Sequence, residues 1–197
     1  MPLNEKDIER FLAESEYINW RETAVFAKAK ELSHGLKSDE AIARACFEFV
    51  RDHIHHSSDY QRNPITCKAS DALTYQTGYC YAKSHLLAAL LRANAIPAAL
   101  CYQRLTITDQ PPYCLHGLNA VYLERFGWYR LDARGNKPGV NAQFYPPVEQ
   151  LAFSSNQVGE CLFDTLMEEP HEMVVQALLR HRTWQDLYNN LPDSISV

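Results

Sequence analysis

Residues 82–93 include Ala82, Leu86, Leu87, Ala88, Ala89, Leu90, Leu91 and Ala93, a run of helical length that is apolar on nearly every face. A helix without a solvated side has to be surrounded, so the rest of the chain must supply elements that wrap it. Thr77-Gly78-Tyr79-Cys80 precedes it and reads as a glycine turn that starts the helix at the cysteine. In a first helical turn the unpaired N–H groups and the helix dipole point at the sulfur and favour the nucleophilic thiolate. A free cysteine packed as a small apolar residue is the competing reading of Cys80. The residues downstream weigh between the two.

After the helix, Pro97 ends helical structure and alternation begins. Residues 97–108 read as a strand, residues 114–124 as a second and residues 128–132 as a third, so a β-meander follows the buried helix. Alternation places His116, Leu118, Ala120 and Tyr122 on one face of the second strand, and Trp128, Arg130 and Asp132 on one face of the third. Pairing Leu123 with Trp128 sets Asp132 opposite Asn119, on the wrong side from His116. Pairing Tyr122 with Trp128 sets Asp132 opposite Leu118, one diagonal step from His116. A His–Asp contact therefore requires an odd connection or a bulge.

Ahead of the central helix, residues 4–14 are expected to form a short surface helix and residues 20–32 a second. Ser38-Asp39-Glu40 supplies an N-cap and an acidic first turn to a third, along which Ile42, Ala45, Cys46, Phe49, Val50, His53 and Ile54 recur at the spacing of one helical face, so Cys46 reads as a core thiol. His53, His55 and His56 cluster where it ends, but a zinc site there, with or without Cys114 and His116, lacks further ligands at a recognisable spacing. Residues 57–69 read as a loop, and residues 144–147 as irregular or edge structure. Residues 172–182 and 184–191 read as closing helices, the second capped by Thr183. His85 reads as a buried histidine with one satisfied nitrogen.

With 197 residues, 46% hydrophobic and 22% charged, the chain has enough material for one substantial core. Its formal charge of -5 and lack of a basic run suggest neither a nucleic-acid nor a membrane partner. The six cysteines form no CxxC pair or dense framework, and the N-terminus shows no secretory pattern. Free thiols in a reducing, cytoplasmic compartment are the expectation. No cofactor is called for, and no loop clusters carboxylates at calcium spacing.

A thiol at a helix start, a histidine on a later strand and an aspartate on its neighbour are the parts of a Cys-His-Asp nucleophilic site. At these residues the chain resembles the transglutaminase-like superfamily, in particular its bacterial branch of predicted proteases. The resemblance runs from about Ser38 to Leu151. It rests on Phe49-Val50-Arg51-Asp52-His53-Ile54, Ser70-Asp71-Ala72-Leu73, Gly78-Tyr79-Cys80 with its helix, and Arg92 ahead of Ile96-Pro97-Ala98. It continues through Leu115-His116-Gly117-Leu118-Asn119-Ala120 and Gly127-Trp128-Tyr129-Arg130-Leu131-Asp132. Leu118 and Ala95 depart from the aromatic and the glycine that the family often carries at those places.

The resemblance implies an α+β, papain-like fold in which the buried helix carrying the nucleophile packs on an antiparallel sheet. Helical extensions, residues 1–37 and 152–197, would flank a core of about residues 38–151 in a single domain. It implies Cys80 as nucleophile, His116 as general base and acid, and Asp132 as the residue that orients His116. The backbone N–H of Cys80 would be one oxyanion donor, with Gln76, Tyr79 or a residue between Ser57 and Asn63 as the second. Arg134 and Asn136 are substrate-contact candidates. The expected activity is thiol-dependent acyl transfer on a peptide or amide substrate, hydrolytic as in a cysteine peptidase or amidase. The alternatives are an amine-accepting transglutaminase and a non-catalytic binding module on the same scaffold.

Overall fold

The computed structural model describes residues 5–193. Asn4, the expected start of the first helix, and the outermost ends of both extensions lie outside the described residues. In chain order, α1 (Glu5–Glu9) runs into a 3-10 turn at Arg10–Leu12, followed by α2 (Thr23–Ser33) and α3 (Asp39–His53). The Ser38 hydroxyl accepts from the Ala41 N–H at 3.2 Å, with Asp39 and Glu40 in the first turn, so α3 begins where its cap dictates.

The short strand β1 (His55–His56), α4 (Ala69–Tyr75) and the short strand β2 (Thr77–Gly78) lead into α5 (Cys80–Arg92). Gly78 thus lies in a strand and not in the expected turn: β1 and β2 pair in parallel, with His55 opposite Thr77 and His56 opposite Gly78. A Cβ on Gly78 would come within 3.0 Å of the Ala82 Cβ and 3.1 Å of the Thr66 hydroxyl, so only glycine lets this strand enter the helix so closely.

Every residue of α5 is buried. Its polar residues are tolerated because backbone oxygens receive them: Ser84 donates to the Cys80 carbonyl at 2.8 Å and Lys83 donates to the Ile54 carbonyl. His85 Nδ1 lies 2.7 Å from the Cys67 carbonyl and its Nε2 has no partner among the described residues, the one-nitrogen arrangement expected. One side of α5 meets α2, α3 and α4; the other meets the sheet.

That sheet is built from β3 (Ala98–Thr106), β4 (Tyr113–Leu123) and β5 (Gly127–Leu131), with a further strand that the sequence did not announce. Residues 144–147, expected as irregular or edge structure, fall in a separate two-stranded hairpin of β6 (Gln143–Tyr145) and β7 (Val148–Gln150). The unannounced strand is β8 (Cys161–Leu162), which gives the antiparallel order β5-β4-β3-β8. The chain closes with α6 (Glu172–Arg180) and α7 (Trp184–Tyr188), the latter capped by Thr183, which accepts from the Asp186 N–H at 3.2 Å.

The β4–β5 register decides the site. Tyr122 pairs with Trp128 and Leu123 with Gly127, leaving a connection of three residues, Glu124 to Phe126. This is the odd connection that a His116–Asp132 contact requires. The far face of the sheet is also apolar: Ala99, Cys101, Leu118 and Ala120 cluster there with fully buried Phe11, whose ring meets Trp128 edge-on at 4.9 Å. The first helix is therefore not simply a surface element. It leads into the residue that seals this second apolar face, which water would otherwise reach.

Candidate active site

Cys80 is the first residue of α5, and Tyr79, its N-cap, makes no side-chain capping bond. The first-turn N–H groups are thus left for a ligand or the sulfur. The Cys80 sulfur accepts a hydrogen bond from the Gly117 N–H at 3.4 Å. A Cβ on Gly117 would lie 3.0 Å from Tyr81 Cδ1, 3.3 Å from Tyr81 Cα and 3.4 Å from Tyr81 N. The missing side chain therefore lets β4 approach the first turn of α5, which brings the sulfur level with His116. Gly117→Ala is expected to part strand and helix by a few tenths of an ångström. Iodoacetamide labelling of Cys80 at neutral pH should slow roughly tenfold. An unchanged rate would show that the close approach does not set the thiol's reactivity.

His116 Nε2 lies 2.7 Å from Asp132 Oδ2, and both side chains are buried. Nδ1 is left for the thiol. Asp132 sits just past β5 and also accepts from the Arg134 N–H at Oδ1 (3.0 Å) and the Ala152 N–H at Oδ2 (3.1 Å). Burial favours the neutral acid, but the His116 charge and these hydrogen bonds override it and hold the carboxyl below its ordinary range. Burial likewise opposes the imidazolium of His116. The charges of Asp132 and Cys80, with hydrogen bonds to both, outweigh it and raise the imidazole above its ordinary pKa. Phe153 stands edge-on to the imidazole at 5.1 Å and limits its movement.

Cys80 and His116 border a cleft of about 510 Å³, with Asp132 fully buried behind the imidazole. Its lining mixes apolar side chains, among them Leu105, Ile107, Trp184 and Leu191, with polar and charged ones, among them His56, Ser58, Asp59, Arg134 and Lys137. The remaining sequence candidates separate here. Tyr79 lies in the wall, its hydroxyl donating to the Trp184 carbonyl at 2.5 Å. Arg134 also lies there, its guanidinium spanning both oxygens of Asp59. Asn136 does not reach the cleft, because its side-chain amide binds both the N–H and the carbonyl of Ala142. Gln76 is exposed at the left-handed end of α4, φ +50°, away from the cleft wall. A single residue in the αL conformation there reverses the chain and turns Gln76 outward.

Cys114 shares the cleft, but burial pushes its thiol up to about 12, which disfavours it as a nucleophile. Burial pushes Cys46, Cys67 and Cys101 up to about 12 as well, in keeping with structural roles. Among the described residues no three His, Cys, Asp or Glu side chains gather as a metal-binding group. Among them, too, no helix is long and apolar enough to cross a membrane. Ser58 and Asp59, from the Ser57–Asn63 stretch offered for the second donor, reach the cleft; sequence reasoning missed His56 as a cleft residue and the lining from the C-terminal helix. For His56 the only available signal was its place in the histidine cluster after α3.

Residues 27–133 match the family model described as the transglutaminase-like superfamily. No curated protein matches the chain. Among solved structures, a candidate cysteine protease from Cytophaga hutchinsonii superposes with a TM-score of 0.55 at 22% identity, covering 68% of this chain and 43% of that one. The periplasmic domain of TgpA from Pseudomonas aeruginosa gives 0.51 at 20% identity, covering 67% of this chain and 48% of that one. The match thus spans less than half the length of either structure. At this identity the likeness is one of fold.

Proposed function

The chain belongs to the transglutaminase-like superfamily, and from that premise we propose that it performs thiol-dependent acyl transfer on amide bonds, with Cys80, His116 and Asp132 as the reacting triad. The observation that carries this reading is the buried His116–Asp132 pair, 2.7 Å long, opening on the same cleft as a cysteine at a helix N-terminus. Asp132 fixes the proton on Nε2, which points Nδ1 at the thiol and stabilises the imidazolium. The Cys80 thiolate attacks the amide carbonyl, forming an S–C bond and an oxyanion. Collapse breaks the C–N bond as His116 gives its proton to the leaving amine. Water, its proton taken by His116, then attacks the thioester, and the carboxylic acid leaves as the S–C bond breaks.

Water is the acceptor we favour because the cleft opens to solvent, where it is the most abundant nucleophile. An amine would give transamidation by the same steps. A peptide is the substrate class that fits a cleft lined by both apolar and charged side chains. The six unpaired thiols, four of them buried, favour a reducing compartment such as the cytoplasm.

The test is iodoacetamide labelling across pH, with the labelled cysteine located by mass spectrometry, in the wild-type chain and in His116→Ala. Cys80 is expected to label fast at neutral pH and to slow markedly in the variant. Because His116 is raised, its imidazolium persists through neutrality and the paired state is lost only as pH climbs beyond that range. Labelling of exposed Cys161 with Cys80 untouched would reject the enzyme in favour of a binding module.

A further inference from the structure

An oxyanion formed at Cys80 needs a second donor beside the Cys80 N–H, and the acyl-transfer reading leaves that place open. Resting on that reading, we propose that His56 is the second oxyanion donor, its Nε2–H facing the carbonyl oxygen of the bound substrate. The β1–β2 pairing sets His56 opposite Gly78, two residues before the nucleophile, and the Ser57 N–H bonds the Gly78 carbonyl at 3.1 Å. The ring stands edge-on to Tyr79 at 5.3 Å and borders the cleft.

The lysine one turn beyond Cys80 ties this arrangement together. Lys83 donates to the carbonyls of Ile54 and, at 3.4 Å, of Arg51, fastening the end of α3 and the start of β1 to the helix that carries the nucleophile. His56 is thus held on a rigid frame common to Cys80, the preorganisation an oxyanion site needs.

The imidazole also has the right protonation. It is 6% exposed, and burial, with the nearby positive charges of Arg134 and Lys83 outweighing Asp59, pushes its pKa well below the ordinary value. A neutral imidazole carries one N–H. Ser58 Oγ lies 3.1 Å from Nδ1, with Asp59 Oδ1 farther off at 4.0 Å; when the hydroxyl is the donor, the imidazole proton sits on Nε2, the tautomer this role requires. Nε2 has no partner among the described residues and is not sealed away. The other polar groups of the sequence reading are committed or remote: Tyr79 to Trp184, Arg134 to Asp59, Asn136 to Ala142, and Gln76 outside the cleft; of the Ser57–Asn63 stretch, Ser58 is engaged with His56 and Asp59, a carboxylate, is an acceptor. Trp184, with its indole N–H, and Tyr188, with its hydroxyl, are the rivals in the cleft lining.

Two reagents separate the oxyanion from the thiol. Iodoacetamide alkylates by displacement at a tetrahedral carbon and builds no oxyanion. p-Nitrophenyl acetate passes through one, forming the S–C bond and then expelling p-nitrophenolate. In His56→Ala, acylation of Cys80 by p-nitrophenyl acetate is expected to fall about 10- to 100-fold, with alkylation unchanged within about twofold. His56→Gln, whose amide N–H reaches a similar point, should restore most of the loss. Equal falls with both reagents, no fall with either, or a selective fall in Trp184→Phe but not in His56→Ala would overturn the assignment. An unreactive Cys80 in the wild-type chain would overturn the acyl-transfer reading itself, and His56's role with it.

Discussion

Asp132→Asn is expected to lower acylation of Cys80 by p-nitrophenyl acetate about 1,000- to 10,000-fold while the chain still folds. All three groups that meet this carboxylate are donors: His116 Nε2 and the Ala152 N–H at Oδ2, and the Arg134 N–H at Oδ1. An asparagine has one acceptor and one donor, so neither orientation satisfies the set. With its NH2 toward Oδ2, it meets the Ala152 N–H and forces His116 Nε2 to accept, which puts the imidazole proton on Nδ1 and leaves no base toward the thiol. With its NH2 toward Oδ1, it faces the Arg134 N–H and a buried donor goes unpaired, at a cost of about 1–3 kcal/mol. The variant also loses the charge that holds His116 up, so burial takes over and the imidazolium is lost at lower pH. The measurement is the acylation rate across pH, with circular dichroism as the check on folding. A rate within about threefold of wild type would make Asp132 a purely structural acid.

The parts of this site that could be read in the sequence are those set by periodicity within one element. The apolar run after Cys80 could be nothing but an enclosed helix, and it is. Alternation along residues 114–124 and 128–132 left two registers, and only the one found places Asp132 beside His116. What periodicity cannot show is which distant elements meet. β1 and β2 are two residues each, too short to carry a period, so His56 looked like one more histidine after α3. Trp184 belongs to the stripe of a closing helix, and nothing in that stripe tells that it walls a cleft whose nucleophile lies some hundred residues earlier. Gln76 failed for a local reason: proximity in sequence to Cys80 suggested proximity in space, but its left-handed backbone sends it to the surface. Phe11 shows the same limit for the fold, since its partner Trp128 belongs to the sheet's far face.

The largest expected loss of stability comes from Arg92→Met. Arg92 is 2% exposed at the end of α5, and its guanidinium donates to three carbonyls: Ala98 at 2.8 and 3.0 Å, Ala13 at 2.7 Å and Glu168 at 2.7 Å. Burial lowers its pKa to about 10, which leaves it charged at neutral pH. Ala13 belongs to the N-terminal extension and Glu168 to the C-terminal one, which also pairs with β3 where Met167 and Leu100 exchange hydrogen bonds. One side chain thus fastens both extensions to the core. Methionine fills similar volume but strands the three carbonyls, at about 1–3 kcal/mol each, partly offset by releasing a buried cation from its desolvation cost. A net loss of about 3–5 kcal/mol is expected, read as the shift of the urea midpoint at unchanged slope. Trp20, Trp128 and Trp184 lie in the N-terminal extension, the sheet and the C-terminal extension, so fluorescence reports on all three regions. If the chain is one domain, fluorescence and circular dichroism will give a single coincident transition in both proteins. A split transition in the wild type would instead make an extension an independent unit that Arg92 merely docks.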